Sequence, residues 1–249
     1  MIIFNVQKGI DGVLSALFVS FTEKIIPDEI TPKCQPFQLS LENQIINIGS
    51  IEKDNLKRVK NALFSYAGNN IIRYMNIVLM SERRDIYTLV FRYAYKILQK
   101  RENIASMLSD EDVLAFRYEF NKVNFEKHRI EGFLRFSETV NGVLYAHFSP
   151  DNNIIELVAP HFLSRLPRQP FLIHDVKRKR IAISDGFHIR YDITDKTAVL
   201  NVSDNEKELL SLWKKYFRAV NIKERKNTVQ QNNFMPYRYR KFMPETYEE

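Results

Sequence analysis

The chain has 249 residues, 45% of them hydrophobic and 27% charged, which is enough to bury one substantial core or two small ones. No stretch approaches the ~18 uninterrupted apolar residues of a membrane span; the most apolar one, Ile71 to Met80, is broken by Arg73. A lone cysteine, Cys34, excludes an internal disulfide, a thiolate zinc site and an iron–sulfur cluster, and a net charge of +7 points to a polyanionic partner or a basic solvated surface.

Met1 to Val6 carries no basic leader and no small-residue cleavage pattern, so the expectation is a cytoplasmic protein with no membrane association. Apolar residues then recur at helical spacing: Leu56, Val59, Leu63 and Tyr66; Ile86, Val90, Tyr93 and Ile97; Val113, Phe116, Phe120 and Val123. Each set predicts one buried helical face. Ser109 ahead of Asp110, Glu111 and Asp112 reads as an N-cap with acids in the first turn, where the helix dipole favours them.

After Gly132 the period moves toward two. Phe133 to Val140 and Val143 to Phe148 flank Asn141-Gly142, a dipeptide suited to a two-residue type I′ hairpin. Arg180 to Ser184 and Phe187 to Tyr191 flank Asp185-Gly186 in the same way, after the apolar run Phe171 to Val176. A capping box, Ser203 to Glu206, opens a last long helix with Leu209, Trp213, Phe217 and Val220 on one face and Lys207, Lys214 and Arg218 on another.

The fold class predicted is therefore α+β: a mainly helical N-terminal half packed with a small antiparallel sheet in the C-terminal half, closed by a C-terminal helix and a basic arm. Residues 1–249 are expected to form a single compact unit. The alternative is a subdivision into 1–128 and 129–249, with the boundary near 124 to 132.

Charge is distributed unevenly. Residues 1 to 160 hold 19 basic and 19 acidic side chains, whereas 161 to 249 hold 18 and 11. From Lys214 to Lys241 nine basic residues face one acid, Glu224, interleaved with Phe234, Tyr237 and Tyr239 and with the amides Asn227, Gln230, Gln231, Asn232 and Asn233. Cations neutralise phosphates, amides bond bases or backbone, and aromatic faces stack on unpaired bases. The candidate nucleic-acid-binding residues are Lys214, Arg218, Arg225, Lys226, Asn227, Arg238, Tyr239 and Arg240, with Tyr237 as an alternative stacking ring. The competing reading is a tail that folds back, burying its aromatics and leaving its cations in water. Met235-Pro236 and Met243-Pro244 argue against one continuous helix there and for an ordered arm.

The five histidines include no H-E-x-x-H pair, and the seven glycines form no phosphate-loop or dinucleotide fingerprint, so no metal and no cofactor is expected. A weaker catalytic candidate is His161 with Arg165 four residues on, together with Asp175, since imidazole beside a carboxylate can move protons near neutral pH. A hydrogen-bonded structural role is the alternative for each. Asp151, Asp175 and Asp185 lie near turns, where Asp more often accepts backbone amides than binds a cation.

Several strings carry a family resemblance: the opening F-x6-D-G-V-L-S-A-L-F at 4 to 18, G-F-L-R-F at 132 to 136, N-G-V-L-Y-A at 141 to 146, A-P-H-F-L-S-R-L-P at 159 to 167, I-H-D at 173 to 175, and the tail from I-K-E-R-K-N to M-P-Y-R-Y-R-K-F-M-P-E. Together they resemble a bacterial family of DNA metabolism or repair proteins with no assigned activity. The resemblance implies a companion to a radical S-adenosylmethionine protein that modifies or repairs DNA; a related domain occurs fused to a uracil-DNA-glycosylase-like module. His161, Phe162, Arg165 and Asp175 match the family's central motifs, and Glu224, Arg225, Asn227, Pro236, Arg238, Tyr239 and Pro244 match its tail. Thr228-Val229 departs from the usual basic residue and Leu at that place. The expectation is a DNA-binding accessory protein. The alternatives are an enzyme acting on a nucleobase or nucleotide through His161, Arg165 and Asp175, and a scaffold for the partner enzyme.

Overall fold

The computed structural model describes residues 1–33, 43–194, 203–220, 222 and 227–246. Cys34, and the tail residues Lys223, Glu224, Arg225 and Lys226, lie outside the described residues. The contacts divide the chain into two compact units, Met1–Asn124 and Phe125–Glu249.

In the first unit a strand the periodicity did not predict, β1 (Ile2–Val6), pairs in parallel with β2 (Glu29–Pro32) and β3 (Gln44–Asn47), in the order β2-β1-β3. Strands of four or five residues are too short to display a period of two, and parallel strands covered by helices read as plain apolar runs. Parallel neighbours need a crossover, and α1 (Ile10–Glu23) supplies it between β1 and β2. The first turn of α1 lies so close to the exit of β1 that a Cβ on Gly12 would sit 1.9 Å from the Gln7 carbonyl oxygen. Glycine is therefore required there.

The helices α2 (Lys53–Ala67) and α4 (Ile86–Lys100) carry the expected apolar faces, and α3 (Ile71–Leu79) one the periodicity did not predict, into one core with Phe4, Val6, Leu14 and Leu17, where Leu63, Met75, Val90 and Ile97 are fully buried. The long helix α5 (Glu111–Phe133) starts one residue later than the sequence suggested. Asp110, and not Ser109, accepts the amides of Asp112 and Val113, at 3.0 and 3.2 Å. Lys96 bridges Asp110 and Asp112, which holds the Asp110 carboxyl below its ordinary range chiefly through the Lys96 hydrogen bond.

The second unit is built on a five-stranded sheet ordered β4-β5-β6-β7-β8: β4 (Ser137–Glu138), β5 (Leu144–Phe148), β6 (Phe171–Asp175), β7 (Arg180–Ser184) and β8 (Ile189–Ile193). It is antiparallel except for β5 and β6, which run parallel because α6 (Ile155–Arg165) crosses over between them. The strand expected from Phe133 is shortened to two residues because α5 continues through Phe133. The chain still turns there, but not through the expected two-residue type I′ turn: only Gly142 takes a positive φ, +72°, and Thr139 pairs with Val143 around a three-residue loop, its amide donating to the Val143 carbonyl at 3.0 Å and its carbonyl accepting the Gly142 amide at 2.9 Å. The other hairpin has a longer loop than expected, since Ser184 pairs with Ile189 and β8 starts there and not at Phe187; Asp185 holds the loop by accepting the Phe187 and His188 amides at 2.8 and 2.7 Å.

Register sets the two faces of this sheet. Ala146, Ile173 and Ala182 share one face and are fully buried; α6 packs on β6 and β7, and Phe136 bridges the rings of Phe162 and Phe171 at 5.0 and 6.0 Å. His147 and His174 pair directly on the other face, beside Tyr145. The C-terminal part comprises α7 (Asp204–Ala219), α8 (Thr228–Phe234), α9 (Tyr237–Arg240) and a final 3-10 turn (Pro244–Thr246). Ser203 caps α7 as predicted, accepting the Glu206 amide at 3.2 Å. The body-facing row is different from that expected: Leu210, Lys214 and Phe217 are half-buried, while Leu209, Trp213 and Val220 are exposed. The reason is that α7 packs against the final 3-10 turn and turns only the edge of its apolar face inward.

Candidate functional site

The candidate site is the C-terminal arm, residues 227–246 of the second unit, and the buried acid that holds it. Asn227 caps α8, its side chain accepting the Gln230 amide at 3.0 Å. Pro236 resets the chain and opens α9, where Tyr237 and Tyr239 stand two residues apart. In a helix that spacing turns two side chains roughly 200° from one another. Tyr239 is accordingly 2% exposed and Tyr237 75%.

Tyr239 enters the unit beside Phe133, and its hydroxyl donates to Glu126 Oε1 at 2.7 Å. Glu126 is itself buried and accepts three more bonds, from the Asp151 amide at 2.6 Å, the Asn152 amide at 2.9 Å and Asn152 Nδ2 at 2.7 Å. A buried carboxylate is tolerable when its lone pairs are filled in this way. Burial, and next the hydrogen bond to Glu126, push the Tyr239 phenol far above the ordinary tyrosine range. Arg238 lies over the Tyr239 ring, donates to its hydroxyl at 3.3 Å and pairs with Asp151 at 2.8 Å.

The rest of the arm is pinned on the same side. Met243 is buried, Glu245 forms a two-pronged ion pair with Arg135 at 2.7 and 2.9 Å, and Phe242 meets the His147 ring edge-on at 5.1 Å. Arg240 ties the arm to itself through the Met235 carbonyl at 3.2 Å and Asn232 Oδ1 at 2.6 Å, and its guanidinium covers Tyr237, 4.5 Å from the ring centroid. Lys241 Nζ lies 4.9 Å from the centroid of Phe242. The outward face thus presents Tyr237, Phe234 and Val229, all exposed, beside cations already laid on aromatic rings.

A family model described as a domain of unknown function, DUF4130, matches residues 84–245, which include α5, the five-stranded sheet and this arm. The chain belongs to the DUF4130 family. No curated protein and no solved structure matches it.

Within the DUF4130 match, the predicted residues are scattered over several roles. Lys214 is half-buried on α7, and Arg218 is exposed there. Arg225 and Lys226 lie outside the described residues. His161 stands 3.7 Å from Glu131, which Lys127 also approaches at 3.1 Å, and Arg165 is exposed at the end of α6. Asp175 is fully buried and accepts the amides of Lys177 and Arg178 at 3.1 and 3.2 Å and the Arg178 guanidinium at 2.9 Å. Asp175 thus closes a turn while His161 faces another acid, and no hydrogen bond or ion pair joins His161, Arg165 and Asp175. Asp151 and Asp185 are likewise bound to Arg238 and to turn amides, and among the described residues no group of three or more potential ligands is arranged to hold a metal ion. No helix among the described residues is long and apolar enough to cross a membrane.

Sequence reasoning missed Glu126, although a signal existed. Val123, Glu126 and Ile130 step by three and four, which sets an acid on the buried stripe of α5. It also missed the pair formed by half-buried His147 and buried His174, where Tyr145 Oη and His174 Nδ1 lie 3.0 Å apart. Burial depresses both imidazoles below their ordinary value, and His147 is lowered further by His174.

Proposed function

We propose that this DUF4130 chain is a DNA-binding accessory protein in repair or base modification, gripping nucleic acid with the outer face of its C-terminal arm beside a radical S-adenosylmethionine partner enzyme. The observation that carries the reading is the pair Tyr237 and Arg240: a ring 75% exposed, backed by a guanidinium 4.5 Å from its centroid, on an arm whose inner ring is fastened to Glu126. An exposed aromatic face stacks on an unpaired base, and flanking cations follow the phosphates. The net charge of +7 resides in residues 161 to 249, the same part of the chain.

The test is a titration of the full chain against labelled single- and double-stranded DNA by fluorescence anisotropy at several salt concentrations. Affinity should fall steeply as salt rises. Absent or salt-insensitive binding to both forms overturns the reading. Removing everything from Asn221 onward is a poor control, because it strips the buried Tyr239 and Met243 from the unit.

A second reading, a scaffold for the partner enzyme, draws on α7. Leu209, Leu212, Trp213, Tyr216 and Val220 form an exposed apolar stripe in which Trp213 and Tyr216 stack at 5.8 Å. Such a stripe suits a protein surface better than a phosphate backbone. Copurification with the partner after nuclease treatment, lost on Trp213→Ala, tests it.

A further inference from the structure

The first unit holds a cavity that the arm does not involve. It has a volume of about 310 Å³, within the range of small-molecule sites. Its walls are aromatic: Tyr93 and Phe116 stack 3.8 Å apart and 7° from parallel, and Tyr74 meets Phe120 edge-on at 5.1 Å. At its rim stand Ala105, Arg117 and Asn121.

The chemistry of the rim selects the occupant. Arg117 and Asn121 are one helical turn apart on α5, both exposed, and neither side chain makes a hydrogen bond or ion pair with any described residue. Three carboxylates at or on α5 are already engaged: Asp110 and Asp112 with Lys96, and Glu119 with Lys122 and the Ser81 hydroxyl, the latter at 2.6 Å. Arg117 is thus the charged residue of the cavity lining, and no counter-ion pairs with it among the described residues. An aromatic enclosure alone also suits a quaternary ammonium group, but a free guanidinium at the mouth repels one and attracts an anion. A planar ring with polar edges and a pendant phosphate satisfies every group present: the ring against the aromatic walls, a ring edge on the Asn121 amide, the phosphate on Arg117.

We infer that this cavity binds the nucleobase of a nucleotide, with Arg117 holding its 5′-phosphate. The nucleotide is either a free mononucleotide or one residue of a single strand. The inference does not rest on the arm, and its test uses the full chain carrying Tyr237→Ala so that stacking on the arm does not contribute. Saturation-transfer NMR is recorded with the four 2′-deoxynucleoside 5′-monophosphates, the four parent nucleosides and a mixed-sequence single-stranded pentamer. Base protons should saturate with the mononucleotides or with the pentamer; the first identifies a free nucleotide, the pentamer alone a strand. Arg117→Ala, a change at an exposed position, should weaken the phosphorylated ligands about tenfold and leave the nucleosides unchanged. Ala105→Trp, which fills the mouth from an exposed position, should abolish the signal. No saturation with any of these probes, or a signal retained in Ala105→Trp, overturns the inference.

Discussion

The Tyr239 hydroxyl and the Glu126 carboxylate meet at 2.7 Å across 113 residues of sequence, joining the arm to the helix that opens the second unit. The bond is charge-assisted and closed to water, so its removal should cost about 1.5–3 kcal/mol. Tyr239→Phe keeps the ring and deletes the bond; chemical denaturation should show that loss with little change in secondary structure.

Glu126→Gln is expected to be worse than Tyr239→Phe. Four donors converge on the Glu126 carboxylate, and a carboxamide turns its own NH2 toward some of them, leaving buried donors facing a donor. The two variants, compared by thermal unfolding, should rank in that order.

The same bond gives an alkaline signature. The folded Tyr239 phenol titrates above its ordinary value of 10.0, through burial first and Glu126 second. The unfolded chain therefore loses this proton first as pH rises, so the stability is whole below pH 10 and declines above it. Tyr239→Phe should flatten the decline of the unfolding midpoint between about pH 9.5 and 11.

On the sheet, His147 and His174 predict the opposite limb. Burial sets both below the ordinary 6.5, so the unfolded chain takes up protons first as pH falls. Their contribution is complete above 6.5 and is lost as pH drops through the lower folded values. His147→Phe, which keeps a ring against Phe242, should reduce the fall in unfolding midpoint between about pH 7 and 5.

Asp175 separates a structural role from a catalytic one. Asp175→Asn retains acceptors for the turn amides but breaks the pairing with Arg178, whose guanidinium also binds the Pro150 carbonyl at 3.1 Å. The side chain is fully buried, so a loss of about 3 kcal/mol in unfolding free energy is expected. Unchanged stability would return Asp175 to the candidates for chemistry.

The sequence made legible those elements whose cores repeat. Val59 and Leu63, or Val90, Tyr93 and Ile97, lie on stripes of α2 and α4 that only a helix buries on one side. β1 stayed hidden because Ile2–Val6 is too short to reveal a period and its partners are distant in sequence. In the arm, interleaved aromatics marked the segment without showing which ring turns inward. That depended on Pro236, which fixes the start of α9 and so the direction of Tyr239. Glu126 was legible only as an acid out of place on an apolar stripe. The cavity beside Arg117 is formed by α3, α4 and α5 together, and no local pattern encodes it.

The most direct test of the account is single-strand affinity measured by anisotropy at one low salt concentration for the full chain and for Tyr237→Ala. Loss of one stacked ring should weaken binding by about 1–3 kcal/mol while the unfolding midpoint stays in place. Equal affinity of the two chains, or no binding by either, would contradict the assignment of the arm's outer face to nucleic acid.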